Sequence, residues 1–513
     1  MKRPSKKRAP RTTYVSDSQL VISGFETGFS QDLDPNNRWV ELANKIPWDG
    51  LVSLYERHYS RKSTGRPPLN PRVVIGALII KHMCNLDDRE TISQITENIY
   101  MQYFIGYSGF STGPPFDPSL FVEIRKRLGE EVLKEMNLRI LQASGTVRSA
   151  EEQEDKEEPP DEDLRKGELL MDATVSPQDI AYPTDLNLLN EARKHTEEII
   201  DALNEQGVFE KKPRTYRRIA RKEYLKVAQN RNPSRKTVRK GVGKQLRYLR
   251  RNISHIHTML DAFEAFPLSR QQQKKFWVIQ TLFTQQQEMF DERKHSAADR
   301  IVSIHQPHVR PIVRGKARAR TEFGSKLHLS LVDGYAFVDT ISWDAFNEGT
   351  HLVEYVENYK QRFGYYPRKV IADKLYWTRD NRKWLKNNNI KLAAKPLGRP
   401  SASAVANHVS PGERNPIEGK FGQAKNAYGM NRIRARLKHT SESWIASIIL
   451  VLNLVKLARQ VPCCLSFSAK KWIIMFSRMH LYRVRVWKQE KLMLQADLGP
   501  IIKINCLEFF SRP

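Results

Sequence analysis

Residues 327–341, LHLSLVDGYAFVDTI, predict two β-strands joined by a tight turn at Asp333–Gly334. Asp-Gly between two apolar runs is a strong hairpin signal, because a two-residue turn needs backbone conformations that these residues tolerate. On the N-terminal side of this hairpin, residues 169–175 (LLMDATV) predict a buried strand that carries one acid. On the C-terminal side, residues 369–373 (KVIAD) predict a strand that ends on an acid.

Helices are predicted to alternate with these strands. One helix is expected at about 351–363 and another from about Thr378, and a short strand follows at 390–393. A loop that contains proline, glycine and serine then leads to a helix that begins near Asn415. The order strand, hairpin, helix, strand, helix, strand, helix is typical of a mixed α/β sheet, which is the predicted fold class.

The helix near Asn415 carries a third acid, Glu418. Asn415 is expected to be its N-cap and Pro416 its first helical residue. Glu418 and Lys425 share one stripe of this helix, beside an apolar face. That apolar face is predicted to contain Ile417, Phe421, Ala424 and Tyr428. Two interpretations of Glu418 stay open here: a metal ligand that faces a phosphate, or the second half of a capping box with Asn415.

The strand acids Asp172 and Asp373 are the other candidates for catalysis. Burying a carboxylate without a partner is costly, so acids in buried strands need a reason. Phosphodiester chemistry with two Mg²⁺ ions uses carboxylates that converge from separate elements. One such acid alone is explained equally simply as an acid at a strand end or as a helix cap. Two of them together with Glu418, in an α/β order that can unite them, predict a shared metal site.

The excess of basic residues predicts a polyanionic partner. The chain has 513 residues, with Lys+Arg 85 against Asp+Glu 57 and a net charge of +28. Nucleic acid is the expected polyanion, and a generally basic protein is the alternative. Between the first strand and the hairpin, about residues 186–320 are a predicted helical insertion. Its segment 211–251 is strongly basic and interleaved with tyrosines, which favours contact with phosphates over a plain solvated face.

The N-terminal part of the chain is predicted to be helical. Pro71 opens one helix and Leu86–Arg89 starts another, with Ile92, Ile95 and Ile99 at helical spacing. This pair is compatible with a helix-turn-helix DNA-binding unit and equally with any helical bundle. The predicted divisions are 1–36 (basic, disordered), 37–146 (helical, DNA-binding), 147–166 (acidic linker), 167–460 (α/β) and 461–513 (a tail without a readable pattern).

Cysteine usage and hydropathy predict a cytoplasmic protein without a membrane span. The four cysteines, Cys84, Cys463, Cys464 and Cys506, lack zinc-ligand spacing, which favours a reducing compartment. The basic N-terminus has no apolar signal region. The apolar stretch 444–457 is interrupted by polar residues and predicts a core helix.

Other chemistries find less support in the sequence. The phosphate-loop pattern G-x-x-x-x-G-K-[ST] and the pattern G-x-S-x-G are both absent. His305 and His308 have a loose metal-like spacing without an obvious third ligand, and they are interpreted as loop residues. Asp333 is explained by its turn, and Asp339 and Asp344 lack a context comparable to that of the strand acids.

Several blocks of this sequence resemble DDE transposases of bacterial insertion sequences. Arg414-x3-Glu418-x6-Lys425 is similar to part of their signature, in which a tyrosine stands at the position of Pro411. The segments MDATV around Asp172 and VIADKLYWTRDNR around Asp373 resemble the blocks that carry the first two acids. The segment that begins GRPPLNPRVVIGALIIKHM resembles the N-terminal domain of these proteins. The resemblance covers about residues 45–460, with the blocks in the expected order.

The resemblance implies a ribonuclease-H-like catalytic core in which Asp172, Asp373 and Glu418 hold two Mg²⁺ ions, with Mn²⁺ as a possible substitute. It implies that Arg414 and Lys425 contact DNA phosphates, and Lys420 is grouped with them. The DNA would be double-stranded: the terminal inverted repeats of the element and its target. A homodimer would hold two ends together in the bacterial nucleoid. The alternatives are a non-catalytic DNA- or RNA-binding protein derived from a transposase, and a structure-specific nuclease on the same fold.

Overall fold

A six-stranded mixed sheet organises the protein in a computed structural model, which describes residues 33–58, 68–147, 165–313, 321–393 and 411–459. The fold class is therefore the predicted combination of helices with a mixed sheet. The strands are β1 (Glu168–Pro177), β2 (Arg310–Val313), β3 (Thr321–Val332), β4 (Tyr335–Ser342), β5 (Lys369–Ile371) and β6 (Lys391–Leu392).

The predicted hairpin is confirmed as β3 and β4. Asp333 and Gly334 both have positive φ, 47° and 76°, as a two-residue turn of this type requires. β4 and the short β2 both pair antiparallel with β3, and β1 pairs antiparallel with β3 as well. On its other side β1 pairs parallel with β5, and β5 pairs parallel with β6. The strand that carries Asp172 therefore lies in the interior of the sheet.

Two predicted helices of the α/β region are confirmed. They are α12 (Leu352–Phe363), which follows a short 3-10 helix at Glu348–His351, and α13 (Arg379–Asn387). The side chain of Thr378 caps α13 at the backbone N–H of Asn381. α12 buries Leu352, Tyr355, Val356, Tyr359 and Phe363 at helical spacing, whereas α13 is mostly polar and buries Asn381 and Leu385.

The N-terminal part is helical, as the sequence predicts. Asn70 caps α3, and Pro71 is its first residue. The next helix, α4, ends at Glu97, because Asn98 leaves the helical conformation and caps α5 instead. The prediction of one continuous helix through Ile99 is therefore wrong, because the helix is interrupted at Asn98. The helices are α1 (Arg38–Lys45), α2 (Trp48–Arg57), α3 (Pro71–Met83), α4 (Asp88–Glu97), α5 (Ile99–Phe104), α6 (Phe121–Arg127) and α7 (Glu130–Ala143).

The helix pair α3–α4 has features that bear on the helix-turn-helix prediction. α3 is buried on almost every side, from Val73 to His82. α4, which would occupy the major groove, carries three acids and a single arginine. An acidic helix is poorly suited to a phosphate-lined groove. DNA contact by this region stays a prediction. At the basic end of α6, Arg125 is buried and paired with Asp88, and Lys126 is paired with Glu123.

The last described helix, α15 (Lys438–Arg459), packs among the N-terminal helices. Trp444 lies under the Lys81 ammonium at 4.6 Å and against the His82 ring. Further along α15, Asn453 donates to the side chain of Asn137 on α7 and to the backbone carbonyl of Ala336 on β4. These contacts join the N-terminal helices and the sheet through one shared interior.

The apolar segment 444–457 is confirmed as part of this helix. By length and composition, Lys438–Ala458 is the one helix of the described residues that is apolar enough to cross a membrane, and 78% of its apolar window is buried inside the protein. That burial is the pattern of a core helix.

The predicted insertion is a helical layer between β1 and β2. Two apolar clusters hold it together, one around Leu189, Leu246 and Leu282 and the other around Ile200, Ile256 and Phe276. The basic segment falls mainly on α9 and α10. The helices are α8 (Asp185–Asn204), α9 (Arg217–Ala228), α10 (Arg235–Leu260) and α11 (Arg270–Asp291).

Residues up to Val455 form one compact unit, and the remainder, Lys456–Pro513, forms a second that is described only as far as residue 459. Almost all of the predicted N-terminal tail (1–36) and acidic linker (147–166) lies outside the described residues, as does the C-terminal tail (461–513). The division into 37–146 and 167–460 stays a prediction.

Candidate active site

The first two candidate acids occupy equivalent positions on neighbouring parallel strands. Leu170 of β1 is paired with Ile371 of β5, and Asp172 and Asp373 each lie two residues beyond that pair. Parallel strands in register bring such positions side by side, here within β1 and just after the end of β5. Asp373 follows the end of β5 and begins the short 3-10 helix Lys374–Tyr376, where its carboxylate accepts the N–H of Lys374 at 2.7 Å.

The third candidate acid, Glu418, lies in the first turn of α14 (Asn415–Asn426). The predicted apolar face of this helix is confirmed, since Ile417, Phe421 and Ala424 are buried, as is Tyr428 just beyond its end. The predicted N-cap is wrong. A 3-10 helix at Pro411–Arg414 runs directly into α14, so Arg414 takes the cap position and Asn415 is already helical.

The capping-box interpretation of Glu418 fails with that N-cap. Among the described residues, no side chain caps the start of α14. The Glu418 side chain is 60% exposed, and its carboxylate lies near the guanidinium of Arg414. The other interpretation of Glu418, a metal ligand that faces a phosphate, stays a prediction.

Arg414 brings the three acids into one group. Its Nη1 donates to Asp373 Oδ1 at 3.0 Å, its Nη2 donates to Asp172 Oδ2 at 3.2 Å, and Nη2 lies 3.9 Å from Glu418 Oε1. We call Asp172, Asp373 and Glu418 the acid cluster. Three carboxylates from a strand, a turn and a helix thus surround a single cationic group.

The electrostatics of the acid cluster are those of a site that needs a cation. Burial raises the pKa of Asp172, and the Asp373 carboxylate acts in the same direction; the Ala173 N–H and Arg414 act in the opposite direction. Carboxylates that repel one another in a partly buried position favour a bound positive charge. Divalent cations such as Mg²⁺ prefer oxygen ligands of this kind.

The two lysines grouped with Arg414 also lie on α14. Lys420 and Lys425 are half-buried, one at two residues and the other at seven residues beyond Glu418. The helix surface at Gly419 and Gly422 is open, because a side chain at either position would meet no atom of the described residues within 4 Å.

A buried polar network behind the acid cluster was not found from the sequence. His328 on β3 bonds Asp339 on β4 through Nδ1 and Tyr376 through Nε2, at 2.9 Å each. Arg362 of α12 and the Ser330 hydroxyl also donate to Asp339. Burial would raise the pKa of Asp339, but Arg362, His328 and Ser330 outweigh it and hold that pKa below its ordinary value. Asp339, which had no evident context in the sequence, thus has three polar partners: His328, Ser330 and Arg362.

The network reaches the acid cluster through one turn. Tyr376 ends the 3-10 helix that begins directly after Asp373, and its side chain is fully buried. The ionised Asp339 accepts the Nδ1–H of His328, so Nε2 accepts the Tyr376 hydroxyl. The network therefore holds in place the 3-10 helix Lys374–Tyr376, which directly follows Asp373.

The comparisons with known proteins agree with this architecture. Residues 370–455, which include Asp373, Arg414 and Glu418, match the transposase DDE domain family, and residues 28–127 match a second transposase domain family, DUF772. The chain belongs to the DDE transposases of insertion elements.

A curated relative is the uncharacterized protein ORF8 in the nfe locus of Rhizobium meliloti. It is 31% identical over 159 residues, which are 30% of this chain and 69% of that protein. No solved structure matches the chain.

Proposed function

We propose that this transposase cleaves DNA at the ends of its element and joins them to a target, with Asp172, Asp373 and Glu418 as ligands of two Mg²⁺ ions. The observation that carries the proposal is the contact of Arg414 with all three carboxylates. The guanidinium is a cation held among oxygens from three separate elements, so the site accepts positive charge where the metal ions are proposed. The mixed sheet with acids after paired parallel strands supports a ribonuclease-H-like core.

The chain's own residues have distinct proposed roles. The carboxylates of the acid cluster hold the metal ions and orient the scissile phosphate. When bound, two Mg²⁺ ions stabilise the attacking and leaving oxygens of an in-line displacement. Arg414, Lys420 and Lys425 contact phosphates beside the scissile bond. Because cleavage and strand transfer are both displacements at phosphorus, one site serves for both.

The insertion is the proposed DNA-backbone contact. The first half of α10 has exposed cations on one side and buried Val242, Leu246 and Leu249 on the other. Arg251 stacks on Tyr216 at 4.4 Å and lies 5.3 Å from the Tyr248 ring. The exposed cations of this segment are Arg235, Lys236, Arg239, Lys240, Arg247 and Arg250. Each phosphate that they neutralise makes binding more sensitive to salt.

We further propose that the protein acts in the bacterial cytoplasm, as a homodimer at the stage when two ends are held together.

Substitution of the acid cluster tests this function. In Asp172→Asn, Asp373→Asn and Glu418→Gln, we expect Mg²⁺-dependent cleavage of DNA carrying the element's ends to fall to background, while DNA affinity and its salt dependence stay near wild type. The matched control is Asp344→Asn, an acid at the end of β4 whose side chain is 76% exposed. Full cleavage by any of the three variants removes that residue from the site.

Two other outcomes of the same experiment favour the alternatives. Cleavage of branched or RNA-containing substrates without strand joining indicates a structure-specific nuclease. Salt-sensitive binding without cleavage by the wild-type chain indicates a non-catalytic nucleic-acid-binding protein.

A further inference from the structure

A second group of ligand-type side chains lies at the base of the insertion. Glu191 and His195 are one turn apart on α8, and His305 lies in the segment that leads from α11 back to β2. His305 Nε2 is 3.2 Å from Glu191 Oε1, and His195 Nε2 is 4.0 Å from the same oxygen. One ligand atom from each residue lies within 4.8 Å of the other two.

These separations suit a tetrahedral metal ion. Two ligands with bonds of about 2.0 Å at tetrahedral angles lie ~3.3 Å apart. Glu191 and His305 are already at that separation, and only the His195 nitrogen is farther away. His305 is half-exposed on a loop, so its ring can rotate toward a bound ion.

His195 is held in the orientation of a metal ligand. Its Nδ1 lies 2.9 Å from Glu198 Oε2, which fixes the hydrogen on Nδ1 and leaves the Nε2 lone pair free. His195 Nε2 is buried, and it has no hydrogen-bond partner within the described part of the chain. A histidine whose second nitrogen is tied to a carboxylate is the usual arrangement around a protein-bound metal. A bound metal ion would therefore explain why His195 Nε2 is buried without a hydrogen-bond partner among the described residues.

A cavity of about 290 Å³ lies beside two of these three side chains. Glu191 and His305 line this cavity, together with Tyr182, Gln306 and Arg436. The cavity has room for a water or a small anion as the fourth ligand, and Arg436 on its wall favours an anion.

We propose that Glu191, His195 and His305 bind a Zn²⁺ ion that fastens the first helix of the insertion to the segment that returns to the sheet. Two imidazoles and one carboxylate suit zinc or a similar transition ion, whereas the acid cluster, with oxygen ligands alone, suits Mg²⁺. The zinc site is separate from the proposed catalytic site and does not depend on the proposed function.

The experiment measures Zn²⁺ binding by the untagged, full-length chain. The protein is stripped with EDTA, its thiols are blocked by alkylation, and Zn²⁺ alone is titrated against a chromophoric chelator. We expect the wild type to bind one ion per chain at this site and to unfold at a higher temperature when loaded. His305→Ala and His195→Ala lose this ion, and Glu198→Gln weakens its binding by about 10–100-fold.

Two controls separate this site from others. His295→Ala removes an exposed histidine elsewhere in the insertion and keeps the ion. The variant with Asp172→Asn, Asp373→Asn and Glu418→Gln together also keeps it, which distinguishes this result from the test of catalysis. If His195→Ala misfolds, His305→Ala decides, because its side chain is half-exposed. Equal Zn²⁺ binding by wild type and His305→Ala overturns the proposal, and so does absence of the ion from the wild type at micromolar Zn²⁺.

Discussion

Arg414 supplies the positive charge at the acid cluster of the DNA-free protein. Its guanidinium contacts both aspartates and lies close to Glu418. A divalent ion that enters between the same oxygens meets a competing cation. The same arginine is then free to contact a phosphate only after it leaves the carboxylates. Arg414 thus belongs both to the acid cluster and to the proposed phosphate contacts.

Removing this competitor is expected to strengthen metal binding without DNA. We expect Arg414→Gln to bind Mn²⁺ about tenfold more tightly than wild type, or ~1.4 kcal/mol, because a positive charge near the carboxylates has been lost. Titration followed by the electron paramagnetic resonance of free Mn²⁺ measures this affinity. In the same variant we expect DNA cleavage to fall, since its proposed phosphate contact is lost.

The control is Arg432→Gln, which removes an exposed arginine paired with Asp179 away from the acid cluster. Its Mn²⁺ affinity should equal that of wild type. Unchanged Mn²⁺ affinity in Arg414→Gln would show that the guanidinium does not compete with the metal.

At the scale of elements, the β3–β4 hairpin is tied to its neighbours by one buried carboxylate. Asp339 on β4 is fully buried and joins His328 on β3 to Arg362 on α12. Through His328 the network continues to Tyr376 and the turn after β5. Removing the charge would leave the partly exposed Arg362 guanidinium and the buried His328 imidazole without their anion.

We expect Asp339→Asn to lower the free energy of unfolding by about 3–5 kcal/mol near neutral pH, the cost of breaking a buried ion pair. The folded-state pKa of Asp339 is below its ordinary value, so its contribution is present above pH ~4 and is lost as pH falls through that lowered pKa. Denaturant unfolding at several pH values should show the gap to wild type narrowing below pH ~4. Asp344→Asn, two residues beyond the end of β4, should change stability by less than about 0.5 kcal/mol. A gap that persists unchanged in acid would contradict this account.

The elements that the sequence predicts well are those with local signals. The hairpin follows from Asp333–Gly334, and the exposed and buried sides of α14 follow from helical periodicity. The start of α14 could not be predicted this way, because a preceding 3-10 helix displaces the cap from Asn415 to Arg414.

Contacts between residues far apart in the chain could not be predicted from the sequence. His305 meets Glu191 and His195 only because the insertion folds back on itself, and no spacing rule connects a helix with a loop so far along the chain. Asp339 likewise has its partners on two other elements, His328 and Ser330 on β3 and Arg362 on α12. The three acids of the acid cluster could be named from the sequence, since each lies in a recognisable element. The contacts of Arg414 with them could not be predicted.

At the scale of the whole molecule, the N-terminal helices depend on the end of the described chain. Trp444, Leu450 and Val451 of α15 pack against α3 and its neighbours, and Asn453 bonds Asn137. Without α15, apolar side chains of α3 such as Ile75 and Ile79 would lose part of their cover. The N-terminal helices therefore do not form a complete hydrophobic core by themselves.

We expect a fragment that ends at residue 147 to lack a cooperative unfolding transition, because the exposed α3 surface offsets its remaining packing. A chain that ends at residue 459 should unfold cooperatively and serves as the control. Circular dichroism during heating, together with binding of a hydrophobic dye, measures both. A sharp thermal transition in the short fragment would show that the N-terminal helices fold independently.

The position of α15 also sets the order of events on the ribosome. The N-terminal helices are translated first, yet α15, which packs against them, ends 312 residues after residue 147. At about 5–20 residues per second, this delay is roughly 16–60 s. During that interval the nascent chain exposes the apolar surface of α3 that the last described helix covers in the folded protein. The topology therefore separates the synthesis of the N-terminal helices from the completion of their packing.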